Sequence, residues 1–372
     1  MTTSSEQVLA VLRKVNHPAN GKNIVDLGLV HDLKITGNKI LFSLVFENPN
    51  DPLKSAIQKA CVTLLKEKIS PETEVEISLV NPTPKAESNG NSILPGAQNI
   101  IAIASGKGGV GKSTVAVNLA VAFASAGFRT GLIDADIFGP SVPKMLRAEN
   151  ERPFVHKVNN KDLIIPVERY GVKVLSIGFF IDPQDATIWR GPMASNALKQ
   201  LITDADWGEL DYLFIDLPPG TSDIHLTLVQ TVSVTGAVIV STPQNVALAD
   251  AIKGINMFRN DNINVPILGL IENMAWFTPE ELPQNKYYIF GKEGCVRLSE
   301  EFNIPLLGQI PLVQGITESG DSGEPAVLKK NQLSNAFKTI AQNLVTQVIK
   351  RNTEIDPTRK VEITRHKKPI KF

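Results

Sequence analysis

Gly106-Lys107-Gly108-Gly109-Val110-Gly111-Lys112-Ser113-Thr114 is the stretch that decides the fold. It fits G-x-x-x-x-G-K-[ST], a loop whose backbone N–H groups cradle phosphates. The flanks are those such a loop needs. An apolar run at 100–104 precedes it, and an Ala/Val-rich helical stretch at 113–126 follows. Glycine lets backbone N–H groups turn inward without a Cβ in the way, and a helix N-terminus adds a partial positive charge. Lys112 would neutralise β/γ-phosphate charge, Ser113 would ligate Mg²⁺, and Thr114 would bond the α-phosphate. Residues 106–114 are therefore the candidate site for ATP with Mg²⁺.

Working outward, Gly131-Leu132-Ile133-Asp134-Ala135-Asp136 reads as a strand closing on two carboxylates. Ligands gather at the carboxyl ends of parallel strands. Asp134 would hold Mg²⁺ through water, and Asp136 would orient or deprotonate an attacking water; a capping or turn aspartate ahead of Gly139-Pro140 is the alternative for each. Tyr212-Leu213-Phe214-Ile215-Asp216 is a second apolar strand ending in an acid, which places Asp216 near the metal. Gly220, in the segment 217–223, would offer its N–H to the γ-phosphate. Asn273 closes the run 267–271, and its carboxamide matches an adenine edge as well as it matches ordinary turn chemistry.

Further apolar runs lie at 130–133, 172–177, 212–215, 237–240, 267–271 and 306–310, and helical stretches at 194–202, 246–258 and 333–349 separate many of them. Strands apolar on both faces, alternating with helices, predict an α/β fold with a mostly parallel sheet covered on both sides. Residues 1–80 read differently, as a small α+β domain: a helix at 5–15, a hairpin around Gly37-Asn38, a helix at 52–69 and a strand at 75–80. Residues 81–98, rich in Pro, Asn, Gly and Ser, read as a linker. The second domain covers 99–350, and 351–372 is a polar, partly basic tail.

Composition bounds the function. The 372 residues hold 38 acids and 38 bases, which argues against extensive nucleic-acid binding. No apolar run approaches the ~20 residues that span a bilayer. With no visible leader and only Cys61 and Cys295, the chain is expected to be cytoplasmic. Cys61 sits on an apolar helical face and reads as core; Cys295 opens a helix, where a lowered thiol pKa would make it a ligand and burial would make it core. His17 and His31 are lone histidines and neither reads as a ligand. The helix 336–349 repeats apolar residues at 337, 340, 344 and 348, which suits a sheet-covering helix; a membrane-seeking helix would carry the same spacing. The arginine-rich lid of a small-molecule kinase is absent from the sequence.

The lysine at position 107 is the mark of the deviant Walker A ATPases, and the resemblance narrows further. GKGGVGKST, DADIFGPSVPKML, WRGPM at 189–193, IDLPPGTSD, STPQNVALADAIKGINMF and ENMAWF together resemble the Mrp/ApbC-type iron–sulfur cluster carrier ATPases over residues 99 to about 345. Residues 23–30, NIVDLGLV, resemble the small iron–sulfur-assembly domain often fused to them. The resemblance implies a nucleotide-sandwich homodimer in which Lys107 reaches the partner's nucleotide. It also implies ATP hydrolysis and delivery of a [4Fe–4S] cluster, bridged between two subunits, to apoproteins. The alternative within the class is a regulatory or positioning ATPase without a cluster. Many members carry Cys-x-x-Cys just after the ENM segment; here residues 277–283 read FTPEELP and hold no cysteine. The small domain often carries a cysteine where Asp51 stands. Cys295 is the nearest thiol to offer a cluster.

Overall fold

The computed structural model describes residues 5–16, 21–36, 38–46, 53–80, 94, 96–137, 139–158, 161–180, 191–221, 223–279, 281, 282, 284–358, 360 and 361. Most of the expected linker, His17, Asp51, Trp189-Arg190 and the tail from residue 362 lie outside the described residues. The chain divides into two compact units, one of Met1–Gly90 with Ala126–Arg129, the other of Asn91–Ser125 and Thr130–Phe372.

The first unit contains α1 (Ser5–Leu12), β1 (Val30–Thr36), β2 (Lys39–Val45), α2 (Lys54–Lys68) and β3 (Glu74–Val80). β2 is the central strand, antiparallel to β1 and parallel to β3. The two-residue period of a strand sends Ile40, Phe42 and Leu44 to one side, and all three are buried. On α2 the helical spacing does the same for Ile57, Cys61 and Leu65. Burial pushes the Cys61 thiol up to about 12.

The second unit is built on β4 (Ala97–Ala104), β5 (Thr130–Asp134), β8 (Val167–Arg169), β9 (Val172–Ser176), β10 (Leu210–Asp216), β11 (Gly236–Ser241), β12 (Ile267–Glu272) and β13 (Leu306–Gln309), with β6 (Phe154–Val158) and β7 (Lys161–Ile165) forming a separate hairpin. Among the described residues the eight-stranded sheet runs β13-β12-β11-β4-β10-β5-β9-β8. Its pairs are parallel except β8 with β9 at the edge. Every residue of β5, β10 and β11 is buried, as expected of strands covered on both faces. The helices are α3 (Lys112–Ser125), α4 (Val142–Met145), α5 (Gly191–Thr203), α6 (Asp223–Thr231), α7 (Asn245–Arg259), α8 (Gly294–Phe302), α9 (Gln314–Ser322) and α10 (Gln332–Glu354). The hairpin β6–β7 carries only the short apolar run Leu163-Ile164-Ile165, and its side chains are largely exposed: Phe154 is 77% and Val155 60% accessible.

α3 is the keystone helix. Val115, Ala116, Val117, Leu119, Ala120, Val121 and Phe123 are all buried. The Phe123 ring meets Tyr212 and Phe214 edge-on, with centroids 4.6 and 5.0 Å away. Alternation along β10 puts those two rings on one face of the sheet, which α3 covers. Asn118 adds a polar tie: its amide donates to the Thr114 carbonyl at 2.9 Å and its oxygen accepts the Val327 N–H at 2.9 Å. The apolar stripe of α10 is spent on packing, with Phe337, Ile340, Leu344 and Val348 at 0–1% exposure. None of the helices among the described residues is long and apolar enough to cross a membrane.

Phe123→Ala removes the ring that locks α3 onto β10. We expect it to lower the unfolding free energy by about 3–5 kcal/mol, read from denaturant melts of the two proteins.

Candidate functional site

The loop from Ser105 to Gly111 joins β4 to α3, at the edge of the sheet where the parallel strands end. Two of its glycines are needed for close approach. A Cβ on Gly106 would fall 2.1 Å from the Asp250 carbonyl, and one on Gly111 would fall 2.2 Å from Asn273 Nδ2. The other two, Gly108 and Gly109, face open space, with nothing closer than the 3.7 Å of Pro219 to Gly108. The loop thus packs down at 106 and 111 and lies open between them. A cleft of about 180 Å³ opens there, lined by residues 107–114 with Ser105, Asp136, Ser141, Met145 and Pro219.

Below the loop a lysine and acids predicted from three separate stretches come together. Lys112 Nζ lies 2.6 Å from Asp216 Oδ1 and 3.8 Å from Asp136 Oδ2, and donates to Ser113 Oγ at 3.4 Å. Parallel register sets Asp216 directly beside Asp134 at the ends of β10 and β5. Asp134 is fully buried; its carboxylate accepts the Ser176 hydroxyl at 2.9 Å, the Val142 N–H at 3.3 Å and the Asp136 N–H at 3.2 Å. Burial, then the neighbouring Asp216 charge, raises the Asp134 carboxyl to about 7, against the pull of Ser176 and Lys112. Asp216 Oδ2 is buried with no hydrogen-bond partner. An acceptor of that kind is costly unless a water or cation meets it.

Three residues behave differently from expectation. Gly220 adopts φ +86° and its N–H donates to the Ser105 carbonyl at 2.9 Å, so the turn closes onto the end of β4 and commits that donor. Asn273 is buried and donates from Nδ2 to the Val110 carbonyl at 2.8 Å, so its carboxamide grips the phosphate loop instead of standing ready for a base edge. Cys295 does sit in the first turn of α8, yet its thiol is pushed up, not down. Burial is the main cause, and the Glu272 carboxylate against it adds to the shift. Lys107 is exposed, with its carbonyl accepting the Ser105 hydroxyl at 3.1 Å. Among the described residues no three His, Cys, Asp or Glu side chains converge as a metal-binding group.

Ser176, Ser141, Pro219 and Glu272 were not singled out in the sequence. Pro219, Ser141 and Glu272 lie inside the quoted motifs, so their signal was present, though only its neighbours in space give Glu272 a meaning. Ser176 is a strand-end serine outside those motifs.

The NUBPL iron-transfer P-loop NTPase family, of the ParA group, matches residues 96–345, and the iron–sulfur cluster assembly protein family matches residues 5–79. An iron–sulfur cluster carrier protein of Synechocystis is 44% identical over 93% of this chain and 98% of its own length. The iron–sulfur cluster transfer protein NUBPL of Dictyostelium discoideum is 45% identical over 68% of this chain and 78% of its own. Among solved structures, a nucleotide-binding protein from Archaeoglobus fulgidus in complex with ADP is 36% identical, with a TM-score of 0.54 over 62% of this chain and 88% of that one.

The environments of the two thiols give a direct expectation. With both pKa values raised, little thiolate is present at pH 8, and native protein should react with a disulfide thiol reagent about a hundredfold more slowly than unfolded protein. Rapid release of one equivalent from folded protein would place a cysteine at the surface.

Proposed function

We propose that this chain, which belongs to the iron-transfer P-loop NTPase family, is a cytoplasmic ATPase that works as a homodimer in delivering iron–sulfur clusters to apoproteins. The observation that carries the ATPase part is the Lys112–Asp216–Asp134 cluster beneath an open glycine loop. Its residues fit MgATP. The loop leaves Gly108 and Gly109 without a Cβ toward the cleft, and the unpartnered Asp216 Oδ2 suits the water shell of a divalent cation. Backbone N–H groups of 106–114 would bind the phosphates, Lys112 would exchange its carboxylate contact for β/γ-phosphate, and Thr114 would bond the α-phosphate. Ser113, with Asp134 and Asp216 through water, would hold Mg²⁺, which supplies charge neutralisation across the phosphates. Asp136, at the rim of the cleft, would orient the attacking water. Lys107 is exposed while Lys112 is buried, which suits a cation that completes the site of a second copy. Hydrolysis is then slow until two subunits close.

The cluster is the cargo in this reading. Four thiolates are the usual ligand set of a [4Fe–4S] centre. The chain has two cysteines, both buried, and burial disfavours the thiolate at each. That favours a cluster which stays ligated by donor or acceptor protein while this ATPase governs the exchange, over one bridged by Cys295 of two subunits.

Two experiments test these parts separately. Lys112→Ala should weaken MgATP binding by about a hundredfold, the loss of a charge-assisted contact to phosphate. Lys107→Ala should bind ATP as before and lose about a hundredfold or more in kcat, as expected for a cation that acts on transition-state charge. Normal turnover by Lys107→Ala would end the sandwich-dimer reading. For the cargo, anaerobic reconstitution should leave both the native protein and Cys295→Ala without stoichiometric iron and sulfide. A cluster present in the first and lost in the second would make Cys295 a ligand.

A further inference from the structure

Glu272 is a fully buried acid that the phosphate chemistry leaves without a task. It ends β12, one residue before Asn273. Its Oε2 accepts the Cys295 N–H at 2.6 Å, at the start of α8, and its Oε1 accepts Gln309 Nε2 at 2.6 Å, from the end of β13. Its backbone carbonyl accepts the Ile310 N–H at 2.8 Å. A buried carboxyl is costly, and a well-packed apolar side chain commonly serves a fold as well or better. Here two short hydrogen bonds and the helix N-terminus offset the cost. What they secure is one point of backbone, held from α8 on one side and β13 on the other.

The residues that follow use that point. Asn273 N–H donates to the Ser241 carbonyl at 2.8 Å, and Asn273 Nδ2 donates to the Val110 carbonyl at 2.8 Å. The contact is close enough that Gly111 must lack a Cβ. Met274 then takes φ +55°, a left-handed conformation unusual for its side chain. Such a conformation persists where its surroundings over-determine it. The Ala275 N–H, donating to the Ile310 carbonyl at 3.0 Å, holds the far side of that strained residue.

We propose that Glu272 is a positioning residue for nucleotide binding: by pinning the end of β12 to α8 and β13 it fixes Asn273, and Asn273 sets the phosphate loop at Val110 and Gly111. The inference rests on the reading of that loop as the ATP site. Glu272 itself touches neither loop nor cleft, so its effect on affinity passes through Asn273.

The test is MgATP affinity and steady-state kinetics for the full-length protein and four variants. Glu272→Ala and Asn273→Ala should each weaken binding about tenfold and raise KM by a similar factor, with kcat at saturation changed less than about twofold. Because both act on one contact, Glu272→Ala/Asn273→Ala should bind no more weakly than the worse single variant. Glu272→Gln should stay within about threefold of the native protein. Gln309 can turn its amide to accept from the new carboxamide, whose oxygen still takes the Cys295 N–H. Additive losses in the double variant, or native affinity in folded Glu272→Ala, would overturn the proposal. So would a fall in kcat without a change in KM. If Glu272→Ala does not fold, Glu272→Asp takes its place. It keeps the charge but cannot span Cys295 and Gln309 together, and it must show the same rise in KM. Native protein that binds no MgATP would instead defeat the ATP-site reading itself, and this proposal with it.

Discussion

One ammonium group sits against Asp216, one of two neighbouring strand-end carboxylates, and the rest of the site is arranged around that fact. Lys112 starts α3 and meets Asp216 at 2.6 Å, while parallel register fixes Asp134 beside Asp216. One positive charge cannot satisfy two buried acids. Burial, with the Asp216 charge beside it, raises Asp134 to about 7, and Asp216 keeps an oxygen without a partner. A site with surplus buried acid and one lysine is suited to a divalent cation and the phosphate that comes with it. The aromatic packing of Phe123 on β10 serves the same geometry, because it sets the helix that carries Lys112 over the strand that carries Asp216.

The phosphate loop is held from outside itself. Gly106 packs on the backbone of α7 and Gly111 on Asn273, whereas Gly108 and Gly109 are left open toward the cleft. The motif's glycines thus divide into two kinds, those that let other parts of the fold come close and those that leave room for a ligand. The grip at Gly111 depends on β12, and β12 depends on the buried Glu272. In this way a strand with no phosphate contact of its own is tied to the affinity of the site.

The cysteines contrast with the phosphate loop. Family membership connects the chain to iron transfer, and relatives alike over nearly its full length are named as cluster carriers. Its own thiols are Cys61, inside the small unit, and Cys295, packed against Glu272. Both have the environment of core residues. The thiols are shut inside the fold, whereas the glycine loop, with Lys112, Ser113 and Thr114, lines an open cleft.

The sequence by itself determined the α/β class and most strands of the parallel sheet, and it marked the lysine and the acids that the fold gathers beneath the glycine loop. The reason is local. A buried parallel strand must be apolar along its whole length, and a phosphate loop must place glycines and a lysine at fixed offsets, so both leave marks within a few residues of chain. The separate hairpin β6–β7 left no such mark over its whole length, because its side chains are largely exposed. Partnerships between distant segments were decided only by tertiary structure. Asn273 matched an adenine edge in sequence and holds Val110 in space. Gly220 carried a free N–H in sequence and gives it to Ser105. Cys295 stood at a helix start, which lowers a thiol pKa. Burial, with the acid 23 residues earlier in the chain beside it, reverses that direction. Hydrogen bonds and desolvation act through space over a few ångströms, and which groups lie that close is fixed by the order of the strands, not by the order of the residues.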